Sequence, residues 1–186
     1  LFKGAGGTGK THINLVDTGL QGVLYSAMTN KLNIAKQGEY AVDVVTWAAL
    51  LGDNVQNICR IKRDYSVIVL DEVSMMSEEK KLNLIERYGG LMKLIFCGDI
   101  GYQLPTIKGE EFTEDGIQNI QTLTVNHRVN CPVFAKLLQE IRDNISSVNR
   151  IKSLLDNIPR ITIDEMANMY DINDMCISFC HKRCNE

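Results

Sequence analysis

No stretch of this 186-residue chain is apolar for long enough to cross a bilayer, which takes about 20 consecutive residues. No basic, apolar and small-residue series at the start reads as a secretory signal. Nor is there an excess of positive charge, since 20 Lys and Arg stand against 23 Asp and Glu for a formal net charge of −3. That balance excludes overall basic character, so any contact with nucleic acid has to be local. A chain of this size needs no covalent staples, and its six cysteines, Cys59, Cys97, Cys131, Cys176, Cys180 and Cys184, are scattered through expected strands and helices; they read as buried free thiols. The group Cys176, Cys180, His181 and Cys184 invites a zinc site, against which stand its three-residue spacing and the strand expected to run through it. The expected location is intracellular, with no membrane partner. What remains is 45% hydrophobic and 23% charged, the composition of one globular domain or one and a fraction.

What the chain does have stands almost at its start. Gly4-Ala5-Gly6-Gly7-Thr8-Gly9-Lys10-Thr11 fits the pattern G-x-x-x-x-G-K-[ST]. Its glycines let successive N–H groups turn around the oxygens of a di- or triphosphate. Lys10 is expected at the β and γ phosphates, and the Thr11 hydroxyl on Mg²⁺, with the following helix pointing its N-terminus at the anion. Leu1-Phe2-Lys3 reads as the last part of a strand, so the start looks truncated.

Further along, a helix is expected from Lys10 to about Asp17, stopped by Gly19 and Gly22, followed by a buried strand at Val23–Ala27. Thr29, Asn30 and Lys31 come after that strand's carboxyl end, where parallel sheets display their ligand sites; Thr29 could equally be a helix cap. Val42–Thr46 reads as extended, and Trp47–Leu51 before Gly52 as a short apolar helix. Ser66–Leu70 is a nearly continuous apolar strand ending in Asp71-Glu72, a Walker B pattern in which Asp71 joins Thr11 at the Mg²⁺ and Glu72 orients or deprotonates the attacking water. A polar amphipathic helix is expected at Ser77–Tyr88, a second apolar strand at Lys93–Cys97 before Gly98-Asp99 and Gln103, an acidic and poorly ordered stretch at Glu110–Asp115, and a strand at Gln121–Val125 before Asn126-His127-Arg128. Pro132 fits the first turn of a helix running to about Asn144. Short helices at Ile151–Asn157 and Ile163–Met169 and a strand at Met175–Phe179 complete the reading. Strands alternating with helices predict an α/β fold, a mainly parallel sheet with helices on both faces.

The ordered set GAGGTGKT, LYSAMTNKLNIA, TWAALLG, VIVLDEVSM, LIFCGDIGYQLPTI and LTVNHRV resembles motifs I, Ia, Ib, II, III and IV of superfamily 1 helicases, in particular the RecD-like, PIF-type and Dda-like DNA helicases that move 5′ to 3′. The resemblance covers residues 1 to about 145. It implies a RecA-like P-loop NTPase, with a first lobe at residues 1–128 and the beginning of a second RecA-like lobe at 129–186, ATP and Mg²⁺ as cofactors, and single-stranded DNA as partner. Carried over by position, Gln103 senses the γ-phosphate, Arg128 is an arginine finger from the lobe junction, and Thr29, Asn30, Lys31 and Thr46 contact the nucleic-acid backbone.

Several departures accompany this resemblance. Ile100, Gly101 and Tyr102 place three residues between Asp99 and Gln103 where the family has two. Trp47 stands where His is usual, the segment between Gly52 and the Walker B strand is short where relatives carry a pin, and motifs V and VI are absent, so the resemblance implies a fragment or a degenerate copy of a helicase. Two other readings stay open: a superfamily 1 RNA helicase of the viral kind, and a nucleotide-dependent binding module without motor activity.

Overall fold

The computed structural model describes residues 1–17, 19–52, 65–103 and 109–156. The segment before the Walker B strand, the residues after Gln103, the expected helix at Ile163–Met169, the strand at Met175–Phe179 and the Cys176–Cys184 group fall wholly or mainly outside them. The chain divides into two compact units, Leu1–Arg142 and Asp143–Glu186. In the second, a helix at Val148–Leu155 is capped by Ser147, whose hydroxyl accepts from the Arg150 N–H.

Among its described residues the first unit carries six strands, β1 (Phe2–Gly4), β2 (Val23–Ala27), β3 (Asp43–Thr46), β4 (Val67–Leu70), β5 (Lys93–Gly98) and β6 (Gln121–Leu123), in the order β3-β2-β4-β5-β1-β6. Every pairing is parallel. Parallel neighbours need crossovers, which are α1 (Lys10–His12), α2 (Asn30–Tyr40), α3 (Trp47–Leu51) and α4 (Glu78–Tyr88); α5 (Pro132–Asp143) follows the sheet.

Alternation along the strands sorts side chains to two cores. Leu24, Ile68, Leu70 and Phe96 face one side, where they meet Trp47 and Leu50 of α3 and Leu84 and Tyr88 of α4. Tyr25, Ala27, Val67, Val69, Ile95 and Cys97 face the other, against Leu15 and Leu32. Each fully buried aliphatic side chain contributes about 1.5–3 kcal/mol, so both faces of β4, wholly buried along its length, anchor the sheet. Trp47 belongs to this core: it is buried, and its indole N–H donates to the Ser26 carbonyl at 3.3 Å.

Three local expectations differ from the structure: Cys131, expected to be a buried thiol, is exposed, and the other two concern the helix after the P-loop and the acidic stretch. The helix after the P-loop is α-helical only at Lys10–His12 and continues as a π-helix over Ile13–Asp17. The buried Asn14 amide donates to the Lys10 carbonyl at 2.7 Å, a side-chain bond that competes with the regular backbone ladder. The acidic stretch at 110–115 is well fixed. Phe112 is buried against Phe96, Ser77 and Glu111 form a β-bridge, and the wholly buried Lys81 ammonium donates to the carbonyls of Thr113 and Asp115 at 3.0 and 2.8 Å.

Candidate nucleotide site

The strand order decides where the chemistry gathers. The P-loop follows β1 and Asp71-Glu72 follows β4, with β5 between these two strands. The carboxyl ends of three neighbouring strands therefore deliver the loop, the acidic pair and the Asp99–Gln103 turn to one edge of the sheet, the place where open α/β folds bind ligands.

Within the loop, Gly9 takes a left-handed φ of 83° at the cap of α1, and the Thr8 hydroxyl donates to the Ala5 carbonyl at 2.8 Å. Lys10 is folded back, its ammonium donating to the carbonyls of Gly4 and Ala5 at 2.7 and 2.9 Å. Gly7 has φ +84°, and a Cβ there would stand 2.6 Å from Arg128 Cβ and 2.7 Å from Asn126 Oδ1. Only glycine admits the 126–128 segment onto the loop. Asn126 donates to the Gly6 carbonyl at 3.0 Å, the His127 N–H donates to Gly7 O at 2.9 Å, and Asn126 Oδ1 accepts from the Arg128 N–H at 2.8 Å. Arg128 thus runs alongside the loop in the same compact unit, with Nη1 3.8 Å from where a Cβ on Gly6 would sit.

Alternation beyond Leu70 turns Asp71 to the face shared by Val69 and Tyr25. There Asp71 Oδ2 accepts from the Thr11 hydroxyl and from the Tyr25 hydroxyl, each at 2.8 Å, and Oδ1 accepts from the Glu72 N–H at 3.0 Å. Burial first, and then the Asp71 carboxylate, push the Tyr25 phenol well above its ordinary range, so it stays a donor. The buried Cys97 thiol is likewise pushed up by burial. Glu72 holds a left-handed backbone, φ 58°, and makes no capping hydrogen bond. Its Oε2 accepts from the Gln103 side-chain amide at 2.6 Å, while Gln103 Oε1 accepts from the Ser74 hydroxyl at 2.5 Å. In the turn before Gln103, Gly101 takes a left-handed φ of +84°.

The oxygen pair of Thr11 and Asp71, 2.8 Å apart at the mouth of the loop, is a donor set suited to a hard divalent cation. Among the described residues no group of three His, Cys, Asp or Glu is arranged to hold a metal otherwise.

Thr29, Asn30, Lys31 and Thr46 lie together at the ends of β2 and β3, whose last paired residues are Ala27 and Thr46. Thr29, Asn30 and Lys31 are exposed. Both threonines cap helices: Thr29 Oγ1 accepts from the Leu32 N–H and Thr46 Oγ1 from the Ala49 N–H, each at 3.3 Å. Four residues beyond the sequence expectations join this edge of the sheet: Tyr25, Ser74, Asn126 and Asn33. Asn33 is buried, accepts from the Ala27 N–H and donates to the Val45 carbonyl, both at 2.9 Å. For Tyr25 the available signal was strand parity, which puts it on the face of Asp71.

A glycine loop after one strand and an acidic pair after a parallel strand, separated by a strand carrying a polar turn, define a RecA-like P-loop nucleotide-binding domain. The chain belongs to the AAA domain family, which matches residues 1–162. Its structure is similar to that of Pif1 helicases solved for DNA unwinding at forked double-stranded DNA, with a TM-score of 0.63 at 18% identity over 88% of this chain and 48% of that one. It is similar to Pif1 helicase from Candida albicans, TM-score 0.59 at 23% identity over 87% of this chain and 45% of the other. For Bacteroides Pif1 bound to single-stranded DNA the TM-score is 0.61 at 17% identity over 90% and 50%. At these identities the likeness is one of fold, and the chain spans about half the length of the proteins it resembles. No curated protein matches it by sequence. Among the described residues no helix is long and apolar enough to cross a membrane.

Proposed function

We propose that this chain is the nucleotide-hydrolysing lobe of an ATP-dependent DNA helicase that translocates 5′ to 3′ on single-stranded DNA. The observation that carries the reading is the convergence of Thr11 with Asp71 and of Gln103 with Glu72 at one sheet edge. In this reading the P-loop N–H groups and Lys10 hold the phosphates of ATP, Lys10 exchanging the Gly4 and Ala5 carbonyls for β and γ oxygens. Thr11 and Asp71 would hold Mg²⁺, which when bound supplies positive charge to those same oxygens. Tyr25 keeps the Asp71 carboxylate aimed at Thr11. Glu72 orients and deprotonates the attacking water, Gln103 holds Glu72 until the γ-phosphate engages it, and Arg128 brings a fixed positive charge along the loop toward the transferred phosphoryl group.

The strand would cross the surface formed by Thr29, Asn30, Lys31 and Thr46, where contacts to phosphates give affinity without sequence preference. The Pif1 relative bound to single-stranded DNA supports the choice of track, and a second RecA-like lobe would complete the cleft.

The test is ATP hydrolysis by this chain with and without single strands of DNA or RNA. Stimulation by DNA of several sequences alike supports the reading, stimulation by RNA alone moves the track to RNA, and absence of nucleotide binding overturns it.

A further inference from the structure

The turn that carries Gln103 is braced from outside the nucleotide site. Tyr102 and Gln103 both donate their N–H groups to the Asp99 carbonyl, at 3.2 and 3.1 Å, closing a tight loop on the end of β5. The Asp99 carboxylate, 8% exposed, receives a two-pronged pair from Arg142 near the end of α5: Nη1 to Oδ2 at 2.6 Å and Nη2 to Oδ1 at 2.7 Å. The same guanidinium lies over the Tyr102 ring, its carbon 4.0 Å from the centroid. Arg142 therefore grips the turn at its first and fourth residues, and the fifth residue, Gln103, reaches Glu72.

A planar fork meeting a shielded carboxylate on both oxygens, with an aromatic face beneath it, fixes orientation in a way that a lysine cannot. Gly101, with φ +84° and nothing within 4 Å of a built Cβ, supplies the turn's bend but no packing. The turn is held on its inner side by Ile100 against the core and by the Ser74 hydroxyl on Gln103, and on its outer side by the contacts of Asp99 and Tyr102 with Arg142.

We propose that Arg142 is a positioning residue for hydrolysis: through Asp99 and Tyr102 it holds the turn that sets Gln103 against Glu72. The contacts described for it are with Asp99 and Tyr102, so it acts through the turn. This rests on the hydrolytic reading above. It also makes α5 a part of the catalytic unit, although the helix lies after the last strand of the sheet.

The experiment is single-turnover ATP hydrolysis with the chain in excess, paired with nucleotide titration and thermal unfolding, on Arg142→Gln, Arg142→Lys, Gln103→Ala and the double variant Arg142→Gln/Gln103→Ala. Arg142→Gln is expected to slow hydrolysis by about 10–100-fold with ATP affinity held within about twofold, the mark of an interaction that matters in the transition state. Arg142→Lys recovers part of the rate. Because Arg142 acts through Gln103, the double variant is expected to be no slower than Gln103→Ala alone. A wild-type rate in Arg142→Gln overturns the inference while leaving the hydrolytic reading intact. Losses of Arg142→Gln and Gln103→Ala that multiply, or a loss of ATP affinity and melting temperature matching the loss of rate, overturn it too. A wild-type chain that binds ATP without cleaving it overturns the hydrolytic reading and this inference together.

Discussion

Gln103 spans the ends of two adjacent strands: its amide nitrogen donates to Glu72 Oε2 at 2.6 Å after β4, and it is itself carried by the turn after β5. The residue expected to sense the γ-phosphate is thereby in direct contact with the residue expected to activate water. A change at either is read by the other.

Glu72→Gln keeps the side chain's shape and its reach to Gln103 but cannot take a proton. Nucleotide is expected to bind and persist, with hydrolysis slowed about 10²–10⁴-fold, the usual contribution of a general base. Fluorescent-nucleotide titration beside single-turnover hydrolysis checks both halves. Glu72 also sits at φ 58°, where a side chain costs about 1–3 kcal/mol. Glu72→Gly and Glu72→Ala both lack the carboxylate, so their difference isolates the backbone: the Gly variant is expected to be more stable by about 1 kcal/mol in urea unfolding. Equal stabilities would show that the backbone there relaxes.

Lys10→Ala removes two hydrogen bonds to loop carbonyls, which together contribute about 1–3 kcal/mol at most in a half-buried setting. The variant is expected to stay folded by circular dichroism and to lose ATP hydrolysis. Normal turnover in the folded variant would remove the loop from the chemistry.

On the surface proposed for the single strand, Thr29→Ala and Thr46→Ala each delete a helix cap, with an expected stability loss of about 1 kcal/mol. Asn30→Ala and Lys31→Ala carry no such cost among the contacts seen. The cleaner test is therefore the Asn30/Lys31 pair, whose loss of affinity by fluorescence anisotropy should be the same for different DNA sequences and shrink as salt rises. A sequence-dependent loss would require base contacts.

Lys81 is wholly buried, paired with Glu78 at 2.6 Å and bonded to Thr113 and Asp115. Lys81→Ala leaves those acceptors and the Glu78 carboxylate without their partner, so a loss of about 3–5 kcal/mol is expected, together with faster amide exchange at residues 110–115. Burial raises the Glu78 pKa, but Lys81 and the Thr113 N–H outweigh it and hold it below the ordinary carboxylate value. A lowered folded-state pKa gives stability that is complete above the unfolded value and is lost as pH falls through the folded one. Acid unfolding should therefore set in below about pH 4, with a weaker pH dependence in Lys81→Ala.

The P-loop and the Asp71-Glu72 pair were legible because each is written in consecutive residues. The parallel sheet was legible because β4 and β5 are apolar runs that only a doubly covered strand requires. Tyr25 was not, since its hydroxyl meets a carboxylate 46 positions away and its neighbours read simply as core. Asn126 binds a loop 120 positions earlier, a distance over which no local pattern speaks. The acidic stretch misled because Phe112 is its single large apolar residue, and the lysine that orders it belongs to another helix. The π-turn after Lys10 was not legible because hydrophobic periodicity does not register a side-chain bond such as that of the Asn14 amide to the Lys10 carbonyl.

The Asn33 side chain joins the start of α2 to the ends of β2 and β3 through one buried amide. Ordering a residue costs about 1–2 kcal/mol of backbone entropy, and on this surface that cost is met during folding. A single strand bound at Thr29, Asn30, Lys31 and Thr46, as proposed, would meet residues already ordered by folding, and its binding is expected to show a small heat-capacity change. The same amide ties the start of α2 to β2 and to the Val45 carbonyl of β3, so a displacement of that helix end is expected to carry both strands with it.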